Sequence, residues 1–141
     1  MRQKYKLSLL VKKFSRYGGE GIFTKIITDA NKPLYVDLLQ YLEENELPLI
    51  VCKFNKSDWT LLTDRRLLIM INDDMNIILH ENLIKADSPL RVEYENGVKN
   101  RLDFTRILLK DVSNNIEFII TLEKGLPYQG LLQVLHFIAT R

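Results

Sequence analysis

The spacing of apolar residues along the chain changes near residue 46, from helical spacing to short runs. Before this point, a helix is predicted over residues 5–17, because one face collects Leu7, Leu10, Val11, Phe14 and Tyr17. Gly18-Gly19 is expected to end it. A second helix is predicted from the Asn31-Lys32-Pro33 segment to about Glu44, since a polar cap and a proline in the first turn favour a helix start. Residues 22–27 are apolar without a clear period.

After residue 46, turn residues interrupt the apolar runs every eight to twelve positions, which indicates antiparallel strands. Seven strands are predicted: residues 49–54, 59–63, 67–71, 76–80, 91–95, 101–109 and 116–122. The fourth strand extends through residues 83–84 in one interpretation. Asn96-Gly97 after the fifth strand predicts a tight hairpin, because both central residues of a type I′ turn need a positive φ. A final amphipathic helix is predicted from about Gly125 to Ile138.

This order of elements over residues 47–141 resembles the pleckstrin-homology-like (PH-like) barrel. Residues 59–67, Trp-Thr-Leu-Leu-Thr-Asp-Arg-Arg-Leu, are similar to a pattern across strands two and three of its bacterial members. The resemblance implies an α+β fold: a seven-stranded antiparallel barrel that the C-terminal helix closes. It also implies a binding module for lipid head groups, peptides or proteins. Residues 1–46 are expected to form a helical extension, with the two N-terminal helices, packed on this domain.

The composition is that of one soluble globular domain: 141 residues, 46% hydrophobic and 27% charged. Of the 20 basic and 18 acidic side chains, six basic ones lie in residues 1–19: Arg2, Lys4, Lys6, Lys12, Lys13 and Arg16. Residues 20–141 therefore carry a net charge of −4. Because the whole chain carries only +2, nucleic acid is not an expected partner. The single cysteine, Cys52, and the lack of a long apolar run predict a cytoplasmic protein, and the resemblance suggests a bacterial one.

The sequence contains no arrangement typical of an enzyme. His80 and His136 are 56 positions apart, and neither has a second histidine or a cysteine at metal-ligand spacing. Cys52 lies in an apolar strand, where cysteine usually serves as a small hydrophobic residue. The expectation is a protein without catalytic residues, metal or cofactor.

The leading hypothesis is a protein-binding module, with an inhibitor or immunity-type protein as its sharper form. The acidic residues Asp73, Asp74, Glu93 and Glu95 are the expected partner surface, since Glu93 and Glu95 share a face if residues 91–95 form a strand. The alternative is lipid or small-ligand binding at the barrel mouth, through the basic residues Lys53, Lys56, Arg65 and Arg66. The basic helix 5–17 has three interpretations: docking on the domain, docking on another protein, or contact with an anionic membrane surface. No oligomeric state is predicted.

Overall fold

The computed structural model describes the backbone of residues 2–140 and the side chains of residues 9–140. These residues form an α+β fold of two antiparallel sheets and four α-helices. The five-stranded sheet has the order β1-β2-β3-β4-β5, with strands Thr24–Ile26, Pro48–Lys53, Trp59–Thr63, Arg66–Ile71 and Asp74–Leu79. The three-stranded sheet has the order β6-β7-β8, with strands Leu83–Asp87, Arg106–Asp111 and Ile116–Thr121. The helices are α1 (Arg2–Tyr17), α2 (Val36–Leu39), α3 (Leu90–Glu95) and α4 (Leu126–Thr140).

Both faces of the five-stranded sheet are covered. Its inner face, which includes Leu62 and Ile69, shares the main core with the three-stranded sheet, α1 and α4. Its outer face, which includes Leu61 and Leu68, lies under a second core cluster that contains Leu38 of α2. Strands covered on both faces have nearly continuous apolar runs, which explains why β3 and β4 show little alternation.

The predicted N-terminal helix is confirmed, and its apolar face docks on the rest of the chain. Leu10 and Phe14 are buried in the main core, whereas Tyr17 at the end of the helix is nearly half exposed. α1 crosses α4 closely: a Cβ atom built on Gly130 would lie 2.7 Å from the ring of Phe14. The side chains of Arg2, Lys4, Lys6 and Leu7 lie outside the described ones.

The prediction of a strand over residues 91–95 is wrong, because these residues belong to α3. The buried Glu93 carboxylate accepts hydrogen bonds from the backbone N–H groups of Thr105 and Arg106, at 2.9 and 3.0 Å. Gly97, with a φ of +81°, follows the helix as a C′ glycine and does not form a hairpin turn. The contacts of Glu93 with the start of β7 therefore decide the local structure.

Three further expectations need correction. Over residues 2–140, the two sheets share no strand pairing and do not close into a barrel, so the structure has eight strands in two sheets and not a seven-stranded barrel. The second predicted helix is reduced to a 3₁₀ turn, Lys32–Tyr35, and the short α2. The chain leaves the helix after α2, and the Glu46 carboxylate then accepts from the backbone N–H of Glu43 at 2.9 Å. The sequence pattern does not predict β1, and it predicts β6 only as an extension of the fourth strand.

Candidate functional site

A cleft of about 300 Å³ opens between the two sheets, at the end of the main core. Its walls come from the inner side of β3 and β4, from β8, and from the turn between β2 and β3. The lining residues are Phe54, Asn55, Asp58, Trp59, Thr60, Ile69, Met70, Ile71, Ile119, Ile120 and Thr121. Most of these are apolar, and the polar ones supply hydroxyl, amide and carboxylate groups that can orient a ligand.

Strand β8 forms one wall of the cleft and is an edge strand. It pairs with β7 in antiparallel register, with Leu108 opposite Ile119, and it pairs with no other strand of the described residues. Three successive residues of β8, from Ile119 to Thr121, line the cleft. Because neighbouring side chains of a strand point to opposite faces, this places the backbone of β8 at the cleft. No other segment of residues 2–140 forms a backbone hydrogen bond with residues 116–121.

The cleft ends at two turns that are hydrogen-bonded to each other. The backbone N–H of Asn72 donates to Asp58 Oδ1 at 3.1 Å, and that of Asp73 donates to the Ser57 carbonyl at 3.3 Å. Asn72 and Asp73 both have a positive φ, as a two-residue type I′ hairpin between β4 and β5 requires. These contacts bring Asp58, Asp73 and Asp74 to one end of the cleft. We call residues 55–58 and 72–74 the acidic turns; Lys56 is the basic residue among them.

The four acidic residues expected to form a partner surface do not act together. Asp73 and Asp74 are exposed on the acidic turns, and Glu95 is exposed on α3, where it pairs with Arg91 at 3.1 Å. Glu93 is fully buried and lies 2.6 Å from Arg106 Nη1. It holds α3 on the start of β7 and is too deeply buried to meet a partner.

The four basic residues of the alternative hypothesis do not converge on one site. Lys53 and Lys56 lie at one end of β3, and Arg65 and Arg66 lie at the other. Two of the four already have carboxylate partners: Lys53 Nζ lies 2.9 Å from Asp37, and Arg66 Nε lies 2.8 Å from Glu46. The positive charges of Lys53 and Arg66 are therefore already paired within the fold.

The remaining reactive side chains lie apart from the cleft. Cys52 is buried in the main core, and this burial raises the pKa of its thiol, which disfavours the reactive thiolate. His136 Nδ1 lies 3.2 Å from both Asp87 Oδ1 and the Ala86 carbonyl, beside β6. His80 is buried in the 3₁₀ turn after β5. Across the described residues, no group of three or more His, Cys, Asp or Glu side chains is arranged to hold a metal ion.

Sequence reasoning missed the apolar lining of the cleft, above all Ile71 and Ile119. One signal was present: Phe118-Ile119-Ile120 breaks the alternation expected of a strand with one solvated face. A run of this kind indicates that both faces of the strand, or its edge, contact something apolar.

The chain has no significant match to a family model, a curated protein or a solved structure. Within residues 2–140, every helix is too short or too polar to cross a lipid bilayer.

Proposed function

We propose that the protein is a non-catalytic module that binds a protein partner in the cleft between its two sheets. The observation that carries this proposal is the cleft itself: an open, mainly apolar groove beside the unpaired edge of β8. Open apolar surfaces with a polar rim are typical of protein interaction sites. The acidic turns favour a partner that presents basic groups, as the target of an inhibitor or immunity-type protein would.

The test is a selection of phage-displayed random peptides on the wild-type protein, followed by affinity measurements on variants. Ile119→Asp places a charge in the cleft wall, and Thr121→Arg places a basic group on its exposed rim. Each change is expected to weaken the selected peptides at least tenfold, about 1.4 kcal/mol. Leu34→Asp changes an exposed apolar residue of the 3₁₀ turn before α2, and serves as the control that keeps full affinity.

Circular dichroism and urea unfolding establish that each variant is folded before its affinity is compared. If the selection yields no peptide, or if the peptides bind the two cleft variants as tightly as the wild type, the proposed function is wrong. Thr121→Arg keeps the test decisive should Ile119→Asp prevent folding, since residue 121 is already solvated.

A second candidate is contact with an anionic membrane surface near the end of α1. Ile22 is 82% exposed on a loop whose backbone is fixed, since Glu123 accepts from the N–H groups of Ile22 and Phe23 at 2.8 and 3.0 Å. Two basic side chains, Lys13 and Arg16, lie at 5.3 and 5.6 Å from the ring centre of Tyr17 on the neighbouring helix end. An exposed apolar residue that follows basic groups closely in the chain fits the surface of an anionic bilayer.

Vesicle flotation tests this second candidate. We expect binding to phosphatidylserine–phosphatidylcholine vesicles, weaker binding for Ile22→Asp, and none to phosphatidylcholine alone. Equal flotation of the wild type and Ile22→Asp would contradict it.

A further inference from the structure

We infer that the partner enters the cleft as an extended segment that pairs with the outer edge of β8 and places a lysine or arginine at the acidic turns. This inference rests on the proposed function, because it assigns a binding mode to the same cleft. Strand addition of this kind derives its affinity from main-chain hydrogen bonds and its specificity from alternate side chains.

β8 is a weakly protected strand edge. Natural edge strands are shielded by shortness, by charged residues such as lysine, or by cover from another element. β1 has three residues and includes Lys25, β5 includes Asp74 and Asn76, and α4 packs against β6. β8, with the sequence Ile-Glu-Phe-Ile-Ile-Thr, has neither lysine nor proline.

The one charged residue of β8 does not block the cleft. Glu117 lies near Lys85 across the three-stranded sheet, at 3.9 Å, which leaves residues 119–121 uncharged where they line the cleft. An added strand lies about 4.8 Å from its neighbour, so its backbone would occupy the cleft directly. Its inward side chains would meet Ile71 and Ile120, which lie on the main-core side of the two sheets.

The acidic turns favour a positively charged residue in the partner segment that enters the cleft. Asp58, Asp73 and Asp74 outnumber Lys56, which leaves an excess of two negative charges at this end of the cleft. Asp73 and Asp74 are exposed, so the attraction is screened by salt and contributes more to orientation and association rate than to affinity. A basic residue at one end of the segment would fix its direction along β8.

Hydrogen exchange and backbone methylation of the phage-selected peptides test this binding mode. We expect the bound peptide to slow amide exchange in β8. We also expect a single N-methyl group to lower peptide affinity about tenfold at every second position, because each such change removes one main-chain hydrogen bond of about 1.4 kcal/mol. Asp73→Asn with Asp74→Asn is expected to lower affinity severalfold and to flatten its salt dependence. Glu43→Gln with Glu44→Gln removes two negative charges from exposed positions after α2. It is the control that changes neither the affinity nor its salt dependence.

The outcomes of these experiments separate the strand-pairing mode from the proposed function. If Ile119→Asp abolishes binding while exchange in β8 stays unchanged and N-methylation shows no alternation, the segment binds in another form and the inference is overturned. If the peptides bind Ile119→Asp and Thr121→Arg as tightly as they bind the wild type, the proposed function itself is wrong. If the acidic pair and its control variant behave alike, the charge assignment is overturned.

Discussion

The buried ion pair between Glu46 and Arg66 fastens the chain after α2 to the five-stranded sheet. Arg66 Nε and Nη2 donate to the two carboxylate oxygens of Glu46, each at 2.8 Å, and Nη2 also donates to the Tyr41 carbonyl. Thr63 Oγ1 donates to the same carboxylate at 2.6 Å. Glu46→Ala removes the three contacts from Arg66 and Thr63 to the carboxylate, keeps the one to the Tyr41 carbonyl, and leaves an arginine side chain that is only 10% exposed. We predict that this substitution is strongly destabilising.

The burial of this ion pair sets how much folding free energy Glu46→Ala is expected to remove. Removing one member of a buried ion pair costs about 3–5 kcal/mol. Because a small part of the Arg66 side chain reaches solvent, we expect the lower limit, about 3 kcal/mol. For a chain of 141 residues this lowers Tm by roughly 9 °C, at about 3 °C per kcal/mol. The double change Glu46→Leu with Arg66→Met is expected to recover most of the loss, since apolar replacement of a buried pair is often neutral.

Urea unfolding of Glu46→Ala, Arg66→Ala and the double alanine variant measures the coupling directly. We expect a coupling free energy of at least about 1 kcal/mol, because the two residues share one hydrogen-bond network. Asp29→Ala breaks the exposed Lys32–Asp29 pair, at 3.5 Å, and is the control that leaves the urea midpoint unchanged. Additive losses from the two alanine changes would refute this account of the pair.

The same pair predicts a pH dependence. Burial alone raises the pKa of the Glu46 carboxyl, but the hydrogen bonds from Arg66 and Thr63 outweigh it and hold the pKa below its ordinary value. The charged pair therefore stabilises the fold above the unfolded pKa, about 4.3, and this stabilisation is lost as the pH falls through the folded pKa. The stability difference between the wild type and Glu46→Gln should shrink as the pH is lowered from 7 to about 3. A difference that stays constant over this range would contradict the assignment.

Three further predictions concern the packing of the fold. Gly130→Ala would bring a Cβ atom within 2.8 Å of the Phe14 carbonyl, so urea unfolding should show a loss of about 1–3 kcal/mol and not the gain usual for alanine in a helix. Glu123→Gln should speed hydrogen exchange at the Ile22 amide, which now donates to the carboxylate at 2.8 Å; an unchanged rate would mean that another contact fixes the loop. Cys52 should react with a thiol reagent only after unfolding, because it is buried and its pKa is raised, and rapid reaction of the folded protein would disprove this.

The sequence predicts those elements whose ends are set by neighbouring turn residues, and it fails where contacts with distant residues set the conformation. Strands β3 and β4 were expected at nearly their observed bounds, because turn residues mark both ends of each. Asn96-Gly97 shows where this reasoning fails. The same dipeptide suits a type I′ hairpin and the end of a helix, and the choice rests on Glu93, whose partners lie 12 and 13 residues away.

The cleft could not be predicted from the sequence, because it exists where two segments fail to pair. Its walls combine Ile71 and Ile119, which are far apart along the chain, and no local pattern states that β8 stops short of the five-stranded sheet. The basic residues were visible, but their partners were not: nothing near Lys53 indicates Asp37, and nothing near Arg66 indicates Glu46. Two of the four charges that looked available for a ligand, those of Lys53 and Arg66, are paired with carboxylates of the fold.

The same reasoning changes the meaning of the net charge of −4 on residues 20–141. Glu46 and Glu93 bind buried or half-buried arginines, so neither of these two offers its charge to a partner. The acidic turns at the cleft are held together by the Asn72–Asp58 hydrogen bond. A local excess of charge beside an unpaired strand edge attracts a basic segment in one orientation, whereas a diffuse negative field would attract any cation without orienting it. The position of the charges, more than their number, is therefore what supports a specific partner.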